Sequence, residues 1–167
     1  MRLRRDPRPD VQVGAGEKVL AWAESGEGDL LAGTRDAVYL DGTRLPWEQV
    51  EAADWDRDSE VFRLSEVGSW GEQRREHSFT VGEPGRFLEL VRERVTASVV
   101  LQRHVPVRGT AGLRVIARRA PRGDRPLAWY VEYDVGIDPD DPEVRSLADT
   151  ALAAARGEVG EGDAADF

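Results

Sequence analysis

Apolar positions along the first eighty residues come in short runs broken by turn-forming residues. Val19–Glu24, Leu30–Gly33 and Ala37–Leu40 are separated by SGEG, TRD and DGT, which are hairpin turn sequences. Leu45–Val50 follows, with Pro46 fixing its entry, and Ala52–Trp55 continues it. Arg57-Asp58 turns the chain into Val61–Val67, where alternation gives no clean inside face. GSWGEQRR, residues 68–75, reads as a loop, and His77–Val81 as a last strand with Phe79 and Val81 on one side. The period then changes. In EPGRFLELVRERV, residues 83–95, Phe87, Leu88, Val91 and Val95 fall at i, i+1, i+4 and i+8 and line one face of a helix, with Leu90 widening the stripe. Gly82 is the expected N-cap, Glu83 suits the positive helix end, and Pro84 fits the first position. A helix this short does not persist alone in water, so it must close something. Six or seven strands followed by one amphipathic helix predict a bent sheet or partly open antiparallel barrel capped by that helix.

Beyond the helix, Val99–Val107, Leu113–Arg119 and Leu127–Val135 predict a three-stranded meander joined by RGTAG and APRGDRP. If the last two strands pair antiparallel, Arg114 or Arg118 can face Glu132 or Asp134 and help set register. A second helix is expected over Pro142–Arg156. Asp141 caps it, Val144, Leu147, Ala148, Ala151, Leu152 and Ala155 form its apolar face, and Gly157 ends it. The fold class is therefore α+β. The expected organisation is a flexible N-terminal arm over residues 1–14, a first domain over 15–98, a meander plus helix over 99–157 packed on it or on a second copy, and a disordered acidic tail over 158–167.

Two stretches carry a resemblance. AGTRDAVYL, residues 32–40, followed by LPWEQVEAADW, residues 45–55, resembles the pleckstrin-homology-like and GRAM-like superfamily, over about residues 17–97. The whole chain is also similar to a group of small actinobacterial proteins of unassigned activity. The resemblance implies a partly open barrel with its capping helix over 15–98. Its lipid-binding members carry Lys and Arg in the loop after the first strand, whereas here that loop is Ser25-Gly26-Glu27-Gly28-Asp29, whose two acids repel phosphate. The helix also lacks the Trp typical of eukaryotic pleckstrin-homology domains.

Composition narrows the functional classes. The 167 residues are 40% hydrophobic and 33% charged, ordinary globular values. A formal charge of −9 argues against wrapping nucleic acid or anionic lipid. No apolar run is long enough to span a bilayer, and the polar MRLRRDPRPD start does not resemble a signal peptide, so no stable membrane insertion and a cytoplasmic location are the expectations. The chain has no Cys, which removes disulfides and thiolate chemistry.

Candidate chemistry is sparse. His77 and His104 each stand alone in their segments, and neither has a triad or metal spacing. Asp134, Asp138, Asp140, Asp141 and Glu143 are dense oxygen ligands but lack the Gly-centred alternation of a calcium loop, so they read as a turn that starts a helix. Asp54 with Asp56 or Asp58 brackets Trp55 in an exposed stretch, where neither carboxyl would be raised toward acid–base work. Catalytic residues, cofactors and metal ligands are therefore expected to be none. Trp22, Trp47, Trp55 and Trp129 lie in expected strands and read as core or lid packing, while Trp70 lies in a polar loop and is an anchor candidate. The partner-binding candidates are Trp70, Arg74, Arg75, Arg114 and Arg118. The expected function is a non-catalytic interaction or scaffolding domain that binds another protein or its own copy through sheet edges and the Trp70 loop. The alternative is a small-ligand or lipid-headgroup binder using the barrel mouth and the Arg-rich segment.

Overall fold

The computed structural model describes residues 9–68 and 75–160. They divide into two compact units, one made of residues 9–68, 75–98 and Ala120–Gly123, the other of Val99–Arg119 and residues 124–160. The class is α+β, with three antiparallel sheets and two α-helices.

The first unit opens with a four-stranded meander, β1 (Ala21–Glu24), β2 (Leu30–Gly33), β3 (Ala37–Leu40) and β4 (Thr43–Pro46), hydrogen-bonded in chain order. Strands β5 (Val50–Asp56), β6 (Val61–Glu66) and β7 (Glu76–Thr80) form a second sheet in the same manner. The expected barrel is thus two separate sheets. They approach at one corner, where the Gly26 N–H donates to the Thr80 carbonyl at 2.8 Å.

The Leu45–Val50 stretch is not one strand. Pro46 is extended at φ −55° and ψ 142°, and Trp47–Gln49 then form a single 3-10 turn between the sheets. The turn swings Trp47 into the core, where its indole N–H donates to the Thr34 carbonyl at 2.9 Å. Strand β6 does have an inside face, Phe62 and Leu64, with Arg63 pointing out.

Helix α1 (Gly85–Ser98) lies against β1, β2, β5 and the 3-10 turn, and so touches both sheets. Phe87 and Val91 are fully buried, and the Phe87 ring meets Phe62 edge-on at a centroid distance of 5.5 Å. With Leu31, Val38, Leu40, Val50, Leu64 and Val81 they make one core. The expected N-cap is displaced. Gly85 takes φ +47°, which any residue with a Cβ resists, and the Pro84 carbonyl accepts the Phe87 N–H at 3.0 Å, so the helix starts after Pro84 and Glu83 lies outside it.

In the second unit β8 (Val99–Arg108), β9 (Ala111–Arg118) and β10 (Ala128–Tyr133) form an antiparallel sheet with β9 central. Glu132 stands opposite Arg114, as the charge pattern predicts, with the two side chains 3.8 Å apart. Helix α2 (Pro142–Glu158) is capped by Asp141, which accepts the Glu143 N–H at 2.9 Å. Val144, Ala148 and Ala155 are buried against Leu101, Leu113, Val115 and Ala117. Leu147, expected on that face, is exposed, and Gly157 is helical and does not end the helix. None of the described helices is long and apolar enough to cross a membrane.

Two glycines test the packing in opposite directions. A Cβ at Gly112 would collide with the backbone of Val105 and Pro106 on β8, whereas one at Gly157 would meet nothing. Gly112→Ala is expected to cost at least about 2 kcal/mol, and Gly157→Ala to add about 0.5–1 kcal/mol, both read from urea unfolding of the full chain. In the first unit, Phe87→Ala is expected to cost about 3–5 kcal/mol in the same assay.

Candidate functional site

The feature that organises polar side chains in the first unit is the outer face of the β1–β4 sheet. Strand alternation places Leu31, Val38, Leu40 and Leu45 inward, and Trp22, Ala32, Tyr39 and Arg44 in one outward row across the four strands. Strand β3 is nevertheless buried at every position. The outward side is covered by the chain itself, because Val11, Val13 and Val19 pack on Ala32, Ala37 and Tyr39. Val11, Val13 and Gly14, expected as part of a flexible arm, therefore lie on the sheet.

Glu17 fixes this cover. Its side chain is only 5% exposed. One carboxylate oxygen accepts the Thr34 hydroxyl at 2.7 Å, and the other accepts the Tyr39 hydroxyl at 2.7 Å and the Arg44 Nε–H at 3.2 Å. The Tyr39 oxygen in turn accepts the Gly14 N–H at 2.8 Å. Burial pushes the Glu17 carboxyl up, but the hydrogen bonds from Thr34, Tyr39 and Arg44, with the Arg44 charge, outweigh it and hold the group below its ordinary value. Burial, with the neighbouring carboxylate, pushes the Tyr39 phenol up. A carboxylate so fully supplied with donors is a clamp and has little basicity left for proton abstraction.

Of the residues singled out from sequence, Arg75 belongs to the first unit and Arg114 and Arg118 to the second. Trp70 and Arg74 lie outside the described residues. Arg75 is exposed just before β7, and its carbonyl accepts the Glu66 N–H at 2.9 Å. Arg114 and Arg118 share one side of β9, but Arg114 faces Glu132 and Arg118 is only 4% exposed. Trp22, expected as packing, is 37% exposed, because its strand is at the edge of the sheet.

Neither histidine stands alone. Register places His77 opposite Leu64, which brings its Nε2 within 2.9 Å of Glu66 Oε2 on the diagonal. His104 Nε2 lies 3.3 Å from Asp134 Oδ2, and that oxygen also accepts the Gly112 N–H at 2.8 Å. The Gly112 and His104 hydrogen bonds hold the Asp134 carboxyl below its usual range. Three other acids of the C-terminal cluster have local tasks: Asp138 accepts the Asp140 N–H at 2.9 Å, Asp140 pairs with Arg145 at 3.1 Å, and Asp141 caps α2. Asp56 accepts the N–H groups of Asp58 and Ser59, which lower its pKa and make it a turn residue. In the first unit, Asp36 forms a two-pronged pair with Arg122 at 2.6 and 2.8 Å, and these bonds lower its carboxyl.

A shallow cleft of about 130 Å³ lies between the β1–β2 loop and the second sheet, lined by Ser25, Glu27, Asp29, Val61, Ser78, Phe79 and Thr80. Ser25 Oγ accepts the Glu27 and Asp29 N–H groups at 3.2 and 3.0 Å and donates to Asp29 Oδ2 at 3.1 Å, which shapes the loop. The lining is acidic and suits no phosphate. No protein-family model, curated protein or solved structure matches the chain.

The Glu17 clamp has a pH signature. Its folded-state carboxyl is held below the ordinary value, so its contribution is fully present above about pH 4.3 and is lost as pH falls through the lowered folded value. Glu17→Gln is expected to lower stability at pH 7 by about 1–3 kcal/mol and to weaken the acid dependence below about pH 4. Urea unfolding at pH 7 and pH 3 checks both.

Proposed function

We propose that the chain is a non-catalytic interaction module whose first unit is pleckstrin-homology-like, and that it binds another protein or its own copy through a free sheet edge. The domain reading is supported by strand order: a four-stranded and a three-stranded meander followed by one helix that touches both. The observation that carries the binding reading is β1. Among the described residues it has a strand neighbour on one side only, and Leu20 and Trp22 beside that edge are 50% and 37% exposed. An open strand edge with large apolar side chains is a template for adding a strand from a partner. Lack of catalysis is supported by the local hydrogen bonds of His77 with Glu66, His104 with Asp134, and Asp138 and Asp141 with the backbone. A cytoplasmic location goes with this reading and rests on composition.

The second reading, a lipid-headgroup or small-ligand binder, needs cations around an open mouth. Here the cleft carries Glu27 and Asp29, Arg114 faces Glu132, and Arg118 is buried. Those features weigh toward the protein partner.

A photoreactive side chain in place of Trp22 in the full chain, irradiated in native lysate, is expected to give a discrete adduct. The same group in place of the exposed Glu89 of α1 is expected to give none. Absence of an adduct at position 22, or equal labelling at both positions, would remove the edge-binding proposal.

A further inference from the structure

We infer that the outer face of the β1–β4 sheet is a peptide-docking face, occupied in this molecule by the chain's own residues 11–19, and that the occupant able to replace them is the same segment of a second copy. This deepens the interaction reading and rests on it. The face has the parts of a recognition site. Ala32, Ala37 and Tyr39 give a flat apolar floor that accepts Val11, Val13 and Val19. Beside that floor, the Thr34 and Tyr39 hydroxyls and Arg44 Nε converge on one carboxylate. The chemistry selected is therefore a short aliphatic segment and, after a turn at Ala15-Gly16, an acid at fixed spacing, which residues 11–17 supply as Val-Gln-Val-Gly-Ala-Gly-Glu.

The attachment is also local. Val11 and Val13 keep some exposure, and among the described residues the hydrogen bonds of the segment to the sheet run through the Glu17 carboxylate, the Gly14 N–H and the Leu20 N–H, which donates to Gly33 at 2.8 Å. A cover held by so few bonds opens without unfolding what lies beneath. The core between the two sheets and α1 is built from other residues. Exposed Leu20 and Trp22 stand where the segment joins β1, and Trp22 is opposite Ala32 in register, so a second copy arriving there extends the same face. In one chain the cover is at high effective concentration, so exchange between copies is slow or rare until the clamp is loosened.

The test uses the full chain and a labelled synthetic peptide with the sequence of residues 9–20, followed by fluorescence anisotropy. Full-length Glu17→Ala, whose own cover is loosened, is expected to bind the peptide at least tenfold more tightly than wild type. A peptide with Gln in place of its Glu is expected to lose at least tenfold. Val13→Asp loosens the cover while keeping Glu17, and is expected to gain peptide binding in the same way. If both variants fold, by circular dichroism, and neither binds the peptide better than wild type does, the proposal is overturned. If both fail to fold, the segment is part of the core and the proposal is overturned as well. Peptide binding that ignores the Glu-to-Gln change would also overturn it, by removing the carboxylate recognition. Photo-labelling at position 22 is a separate readout, so the broader interaction reading can survive any of these failures.

Discussion

Strands β2 and β3 are apolar on both sides, and a sheet of that kind must be covered twice. Leu31, Val38 and Leu40 face one way, Ala32, Ala37 and Tyr39 the other, and all are buried. Helix α1 covers the inner side by inserting Phe87 and Val91 between the two sheets. Among the described residues of this unit, no helix covers the outer side. It is covered by the segment before β1, through the packing of Val11, Val13 and Val19 and through one buried carboxylate, Glu17. Much of what is unusual in the first unit follows from that division between an apolar cover and a polar clamp.

The physics of the two covers differs. Burial of Phe87, Leu88 and Val91 is non-directional and insensitive to pH, so the inner cover fails only with the unit. The outer cover depends on charge-assisted hydrogen bonds from Thr34, Tyr39 and Arg44 to Glu17, which need a specific geometry and an ionised acid. Such a contact can be lost alone. Under the proposed interaction reading, such an element can be displaced without loss of its scaffold, and β1, an edge strand with Leu20 and Trp22 exposed, follows it directly in the chain.

Much of the backbone was readable from local sequence. The helical spacing of Phe87, Leu88 and Val91, the Asp-Pro-Glu start of α2 and the Arg114–Glu132 match are short-range or strongly periodic signals, and all appear in the structure. The Gly82 cap failed because Gly85 could take a left-handed conformation and begin the helix later. The strand over Leu45–Val50 failed because Trp47 gains more from the core than an extended strand would give it. The clamp was hidden for a different reason. Glu17 lies 17 and 22 residues from Thr34 and Tyr39, and no local pattern links a single acid to hydroxyls two strands away. Two signals were present even so: Val11 and Val13 alternate at a strand period, and Ala37–Leu40 is an unbroken apolar run, which asks for cover on both faces. The histidine partners were equally hidden, since they depend on strand register.

Native-state hydrogen exchange in increasing urea tests the two-cover account most directly, because it reports an opening free energy and a denaturant dependence for each amide. Gly14 and its neighbours are expected to exchange through a small opening, low in energy and nearly independent of urea, while amides of α1, β2 and β3 exchange only with the unfolding of the whole unit. Equal opening energies and equal urea slopes for Gly14 and for Val91 would contradict it.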